Sequence, residues 1–197
     1  MSARFVVTSL VTFFAWAIAA VISQGLSDAA THSSSIWLAT GVTFGALLVV
    51  RAPNRPAVLL GAALATVALS LIDGLGFFQA LGFGLNEVLC ASVGAWLALR
   101  FRAVKENAQP DAGKAYAGLL LGAAVTSALG ASMSLLLWSW VMKGDVALAA
   151  EWRVWACTSF VGILLMAPLI QSFAAFRVRR SGGMATSQFV AGAATFL

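Results

Sequence analysis

Glu87 is the residue with the most chemistry to account for. It is the one acid deep inside an apolar run, about ten residues past Gly76 and about thirteen before Arg100. At about 1.5 Å of rise per helical residue, that depth reaches the middle of a hydrocarbon layer about 30 Å thick. An unpaired charge there costs on the order of several kcal/mol, so the carboxyl is either neutral or turned toward a polar interior. A ligand, proton or ion site follows from the second case, formed by Glu87 with Asn86 and with Gln24 or Thr40 as partners from other runs. The competing account is a neutral carboxyl that donates one hydrogen bond to a neighbouring helix and fixes its register. Ionisable groups within a membrane mark function by default, and the functional reading leads. Asn86 and Glu87 are adjacent, about 100° apart on a helix, and so line one interior wedge.

Five tryptophans, Trp37, Trp138, Trp140, Trp152 and Trp155, fall near one expected membrane boundary. Interfacial anchoring, with the ring in hydrocarbon and its N–H wet, accounts for such a belt and is the favoured reading. The sharper alternative is an aromatic pocket for an amphipathic or aromatic ligand, open to that side. His32, the single histidine, lies in the polar segment 27–35 near Asp28 and could titrate as a pH switch. With no second ligand near it in sequence, it makes no metal site. Cys90 and Cys157 lie in apolar runs without CxxC or Cys/His spacing and read as packing residues, so no disulfide framework, metal or cofactor is expected. No GxSxG, HExxH or Walker pattern occurs, and no serine has a base beside it, so the chain is not expected to be an enzyme.

The elements that must position these residues follow from composition. The 197 residues are 61% hydrophobic and 10% charged, with a mean hydropathy of +0.94. A soluble domain would be about a quarter charged, so this is a membrane protein and not a soluble enzyme. Six apolar runs stand out: Phe5–Leu26, Ile36–Val50, Pro56–Ile72, Phe77–Leu99, Tyr116–Met142 and Arg153–Phe176. The fold class is therefore all-α, a polytopic transmembrane helical bundle of six complete spans. Two prolines and an asparagine in Arg51–Pro56 mark a tight turn between two neighbouring antiparallel helices. A seventh apolar run opens at Gln188 and reaches Leu197, too short to cross, so residues 1–197 are expected to be one membrane domain truncated at its carboxyl end.

The net charge of +5 comes from basic clusters between apolar runs, which orient helices and face anionic headgroups; no nucleic-acid partner is implied. With the amino terminus in the cytoplasm, Arg4, Arg51, Arg55, Arg100, Arg102, Lys105, Lys114, Arg177, Arg179 and Arg180 fall inside. Only Lys143 and Arg153 fall outside. That asymmetry sets the orientation.

In lipid, helices associate through close packing of small residues and interhelical hydrogen bonds. The fifth run carries a full ridge, Gly118, Gly122, Thr126, Gly130 and Ser134, one on each successive turn. Gly41 and Gly45 form a second row, and Gly82, Asn86, Cys90 and Gly94 a third. These rows read as helix packing rather than as a binding site.

At Trp37-Leu-Ala-Thr-Gly41-Val the sequence resembles the opening of the second helix of the membrane-associated sensor family, type one (MASE). The resemblance continues through Leu47-Leu-Val-Val-Arg51, the proline-bearing turn, Leu60–Ala65, Gly84–Glu87 and Gly94–Arg100, and resumes at Trp152-Arg-Val-Trp155 and Gly162–Leu169. It covers roughly residues 5–176. It implies a sensory domain of about eight helices in the inner membrane of a bacterium, fused to or paired with a cytoplasmic output module, a diguanylate cyclase, a cyclic-di-GMP phosphodiesterase or a histidine kinase. Gly162 and Pro168 are the packing residues of its final signature. Where relatives often carry an Asp three residues before that glycine, this chain has Ser159, which leaves Glu87 as the only deep acid.

The residues and the resemblance together give a membrane-embedded input domain that receives a signal at Glu87, Asn86, Trp37, Gly41 and Trp155. Its expected partners are membrane lipids, an output domain and, as a further candidate, a second copy of the chain. A small-solute transporter or substrate-capturing subunit, and a structural accessory subunit of a larger complex, are the alternatives.

Overall fold

The computed structural model describes residues 2–26, 36–102, 112–139 and 148–181. The described residues form six α-helices: α1 (Ala3–Gly25), α2 (Leu38–Val49), α3 (Arg55–Ile72), α4 (Phe77–Arg102), α5 (Ala112–Ser139) and α6 (Leu148–Ser181). The seventh run from Gln188, His32, Asp28, Lys143 and Trp140 lie outside the described residues.

Five of these helices are long and apolar enough to cross a membrane. The helices α4 and α6 run past the ends of their apolar stretches into basic residues, because hydropathy marks where lipid stops and not where backbone hydrogen bonding stops. The sixth helix, α2, has 12 residues, so it is about 18 Å long, shorter than the roughly 30 Å of a complete crossing. Nine of its residues are buried, which makes it an interior element packed among α1, α3, α4 and α6. Its opening N–H groups would be orphans in an apolar setting. Two are met by neighbouring helices: Trp37 N–H donates to the Thr158 carbonyl (3.1 Å) and Leu38 N–H to Ser23 Oγ (2.9 Å).

Successive helices run antiparallel. The end of α1 meets the start of α2 at Ser23 and Leu38, a 3₁₀ turn at Ala52–Asn54 joins α2 to α3, and Pro56 sits in the first turn of α3 where a missing N–H costs nothing. Asn86 of α4 reaches Ser134 near the end of α5, and Trp138 of α5 stacks edge-on against Trp155 near the start of α6. Arg4, Arg51, Arg55, Arg100, Arg102, Lys114 and Arg177–Arg180 consequently gather at one end of the bundle.

The small-residue rows act as contact surfaces. On α5, a Cβ added at Gly122 would lie 2.5 Å from the Gly94 carbonyl, so α4 and α5 touch backbone to backbone where the two rows meet at these glycines. An equally tight seam joins α2 to α6: a Cβ at Gly162 would collide with the Trp37 carbonyl, and one at Gly41 with the Gly162 carbonyl. Gly41, expected at the sensing site, is thus part of a helix contact. A Cβ added at Gly118 would lie 2.5 Å from Phe101 Cβ. At Gly130 an added methyl would make only an ordinary contact, with Cys90 Cβ of α4 at 4.0 Å, looser than at Gly122. One packing assignment needs correction: Pro168 is inside α6 but exposed. The Pro168 ring denies the Leu164 carbonyl its usual helical donor, on a face that is exposed among the described residues.

Candidate functional site

The helices α4 and α5 touch backbone to backbone where Gly94 meets Gly122 and are bridged by side chains further along, at Gly130, Ser134 and Leu137. A cavity of about 380 Å³ lies at the end of the bundle where α1, α3 and α5 finish and α2, α4 and α6 begin. Polar side chains form its floor and tryptophans much of its wall.

Glu87 is buried and lies on the floor, where two other helices reach it. Thr43 Oγ1 donates to Oε1 at 2.6 Å, Thr40 Oγ1 to Oε2 at 2.8 Å, and the Trp16 indole N–H to Oε1 at 3.2 Å. Thr40 and Thr43 are three apart on α2 and so share one face. Trp16 of α1 is 1% exposed, and its N–H can only donate. One carboxyl therefore joins α1, α2 and α4 through hydrogen bonds.

Asn86 also lines the cavity but turns to the opposite neighbour. Its Nδ2 donates to Ser134 Oγ (2.8 Å) and to the Gly130 carbonyl (3.2 Å), while its Oδ1 accepts from the Cys90 thiol (3.0 Å). The two residues share a wedge, as expected, yet Asn86 ties α4 to α5 and Glu87 ties α4 to α1 and α2. Asn86→Ala is expected to cost about 1 kcal/mol, in the range measured for interhelical hydrogen bonds in bilayers, as a lowered unfolding midpoint in detergent; an unchanged midpoint would show that the bond carries no net stability.

Of the expected partners, Thr40 is on Glu87, whereas Gln24 pairs instead with Asp73 at the mouth (Nε2 to Oδ2, 3.3 Å). Trp37, Trp138 and Trp155 line the cavity, although sequence position alone favours interfacial anchoring for them. Trp152 is not among the lining residues: it is exposed and donates to Ser132 Oγ (3.0 Å). Ser159 also lines the wall.

Sequence reasoning missed Trp16 and Thr43. The signal for Thr43 was its i, i+3 spacing from Thr40. Nothing local marks Trp16, which sits mid-run in α1 and is 71 residues from Glu87. The tryptophans stand in two edge-to-face pairs, Trp16 with Trp37 at 6.2 Å and 76°, and Trp138 with Trp155 at 6.2 Å and 71°.

No curated protein and no solved structure matches the chain significantly. The MASE1 family model matches residues 6–197, nearly the whole sequence. That match runs through every described helix and both halves of the cavity, and with five apolar helices it makes this a multi-pass membrane protein. The chain belongs to the MASE1 family.

Proposed function

We propose that this domain is the sensing input of a bacterial inner-membrane signalling protein, with the cavity as its receiving site and α6 as its output rod. The observation that carries this reading is the Glu87 carboxyl on the cavity floor, hydrogen-bonded at once to α1 and α2. Anything that enters the cavity and competes for that carboxyl changes the balance between alternative packings of α2. The contact of α2 with α6 has no slack at Gly41 and Gly162, so a shift of α2 is passed to α6, which continues as helix to Ser181 at the basic end. Close-packed seams of this kind switch between discrete arrangements rather than deforming smoothly.

In this reading α2 counts as a sixth, shortened span, the amino terminus and the basic end face the cytoplasm, and the cavity opens outward. The output is cyclic-di-GMP turnover or histidine kinase activity, fused or in a separate chain. Fusing the chain after Ser181 to a diguanylate cyclase domain tests it. Glu87→Gln is expected to shift cyclase output severalfold, with membrane insertion unchanged and a reporter placed within 103–111 remaining cytoplasmic. Identical output from the two fusions, or an external reporter, overturns the reading.

A further inference from the structure

We infer that the cavity binds a small organic cation with an apolar body, a protonated or quaternary amine about the size of one substituted aromatic ring. This rests on the cavity being the receiving site and adds the chemistry of what it receives.

The volume sets the scale. A cavity of about 380 Å³ is at the small end of the roughly 300–1,000 Å³ typical of small-molecule sites, far larger than a bare metal ion and too small for a lipid tail with its headgroup. Charge sets the sign. Among the described lining residues the acidic side chains are Glu87 on the floor and Asp73 at the mouth, and no Lys, Arg or His joins them. An anion would meet two carboxyls and no countercharge. A cation meets Asp73 first and Glu87 last.

Glu87 also retains capacity. A carboxylate has about four acceptor positions, and three donors from Trp16, Thr40 and Thr43 are in place. These donors hold the group in position, so a ligand's N–H or positive methyl edge meets an acceptor that is already oriented. The walls add a second attraction. Tryptophan has the strongest quadrupole of the aromatic side chains, with a negative face that attracts cations. Four of them line this space, in two near-perpendicular pairs. An edge-to-face pair leaves the edge-on ring's faces uncovered by its partner. A neutral apolar ligand would use the rings but leave the carboxyl idle.

The test uses the full chain in phosphatidylcholine nanodiscs, with calorimetric titration of benzyltrimethylammonium, its neutral carbon isostere neopentylbenzene, and the anion 3-phenylpropionate, each corrected against protein-free discs. The expected result is one saturable site for the cation, about tenfold or more tighter than for the neutral isostere, as a desolvated cation on aromatic faces gives. Glu87→Gln should abolish that preference. Should this variant not fold, Trp155→Leu carries the same comparison, with cation affinity falling severalfold and neutral affinity less. Equal affinity for cation and isostere, preference for the anion, no saturable binding of any probe, or a preference unaffected by these variants overturns the inference. Failure of the sensing reading looks different: the cation binds with the stated preference and the cyclase fusion does not respond to it.

Discussion

Glu87→Leu is expected to lower the stability of the bundle by about 2–4 kcal/mol, more than any other single change on the cavity floor. The leucine fits the space but removes the acceptor of three donors from two other helices. The three cannot all find substitutes. Thr43 can turn its hydroxyl to the carbonyl four residues back, as Ser23 and Thr66 do in their own helices. Thr40 is at the start of α2, where the residue four positions back, Ile36, precedes the helix. The Trp16 indole can only donate and is buried among apolar residues. Its N–H is left without a partner, at about 1–3 kcal/mol for an unsatisfied buried donor. Glu87→Gln keeps one acceptor oxygen and should cost markedly less. Unfolding midpoints of the two variants in the same detergent measure the difference. If Glu87→Leu is as stable as the parent, the carboxyl does not hold α1, α2 and α4 together.

The second large effect comes from a single methyl group. In Gly162→Ala the new Cβ would overlap the Trp37 carbonyl, so α2 and α6 must separate. Overpacking of this kind costs about 1–3 kcal/mol. Separation also strains the bond from Trp37 N–H to the Thr158 carbonyl and moves Trp37 on the cavity wall, so ligand affinity and fusion output should fall along with stability. Gly130→Ala is the control. It lies on α5, where an added methyl would meet Cys90 Cβ at an ordinary contact distance of 4.0 Å, and alanine is the better helix former, so it should leave stability unchanged or slightly raised. Equal midpoints for the two variants would mean that the α2–α6 seam is looser than these distances indicate.

These two variants also show where the sequence could be read and where it could not. Gly118, Gly122 and Gly130 belong to one row with one period, and the sequence assigns them one role. Gly122 is at the backbone contact of α4 and α5 and Gly130 is beyond it, on the cavity. Spacing along one helix contains no information about the angle at which a second helix crosses it. Pro168 was misread for a related reason: a proline within a helix can be recognised from sequence, but the direction in which its ring points depends on the neighbours. The tryptophan belt was legible as a group near one boundary. Its division into Trp152 on the surface and Trp37, Trp138 and Trp155 on the cavity was not.

The amino-acid order by itself determined that this chain is helical and crosses a membrane repeatedly, which end of each helix is basic, and how deep along α4 the carboxyl of Glu87 lies. Hydropathy, charge and the 3.6-residue period are properties of contiguous segments, and each can be summed without knowing a neighbour. Only the tertiary structure decided that Glu87 meets Trp16, Thr40 and Thr43, that Asn86 turns the other way toward Ser134, and that α2 is an interior element. Those outcomes depend on how each helix is rotated and crossed against the others. In lipid that arrangement is selected by close packing and hydrogen bonds between residues distant in sequence, and not by a tendency of apolar faces to escape water.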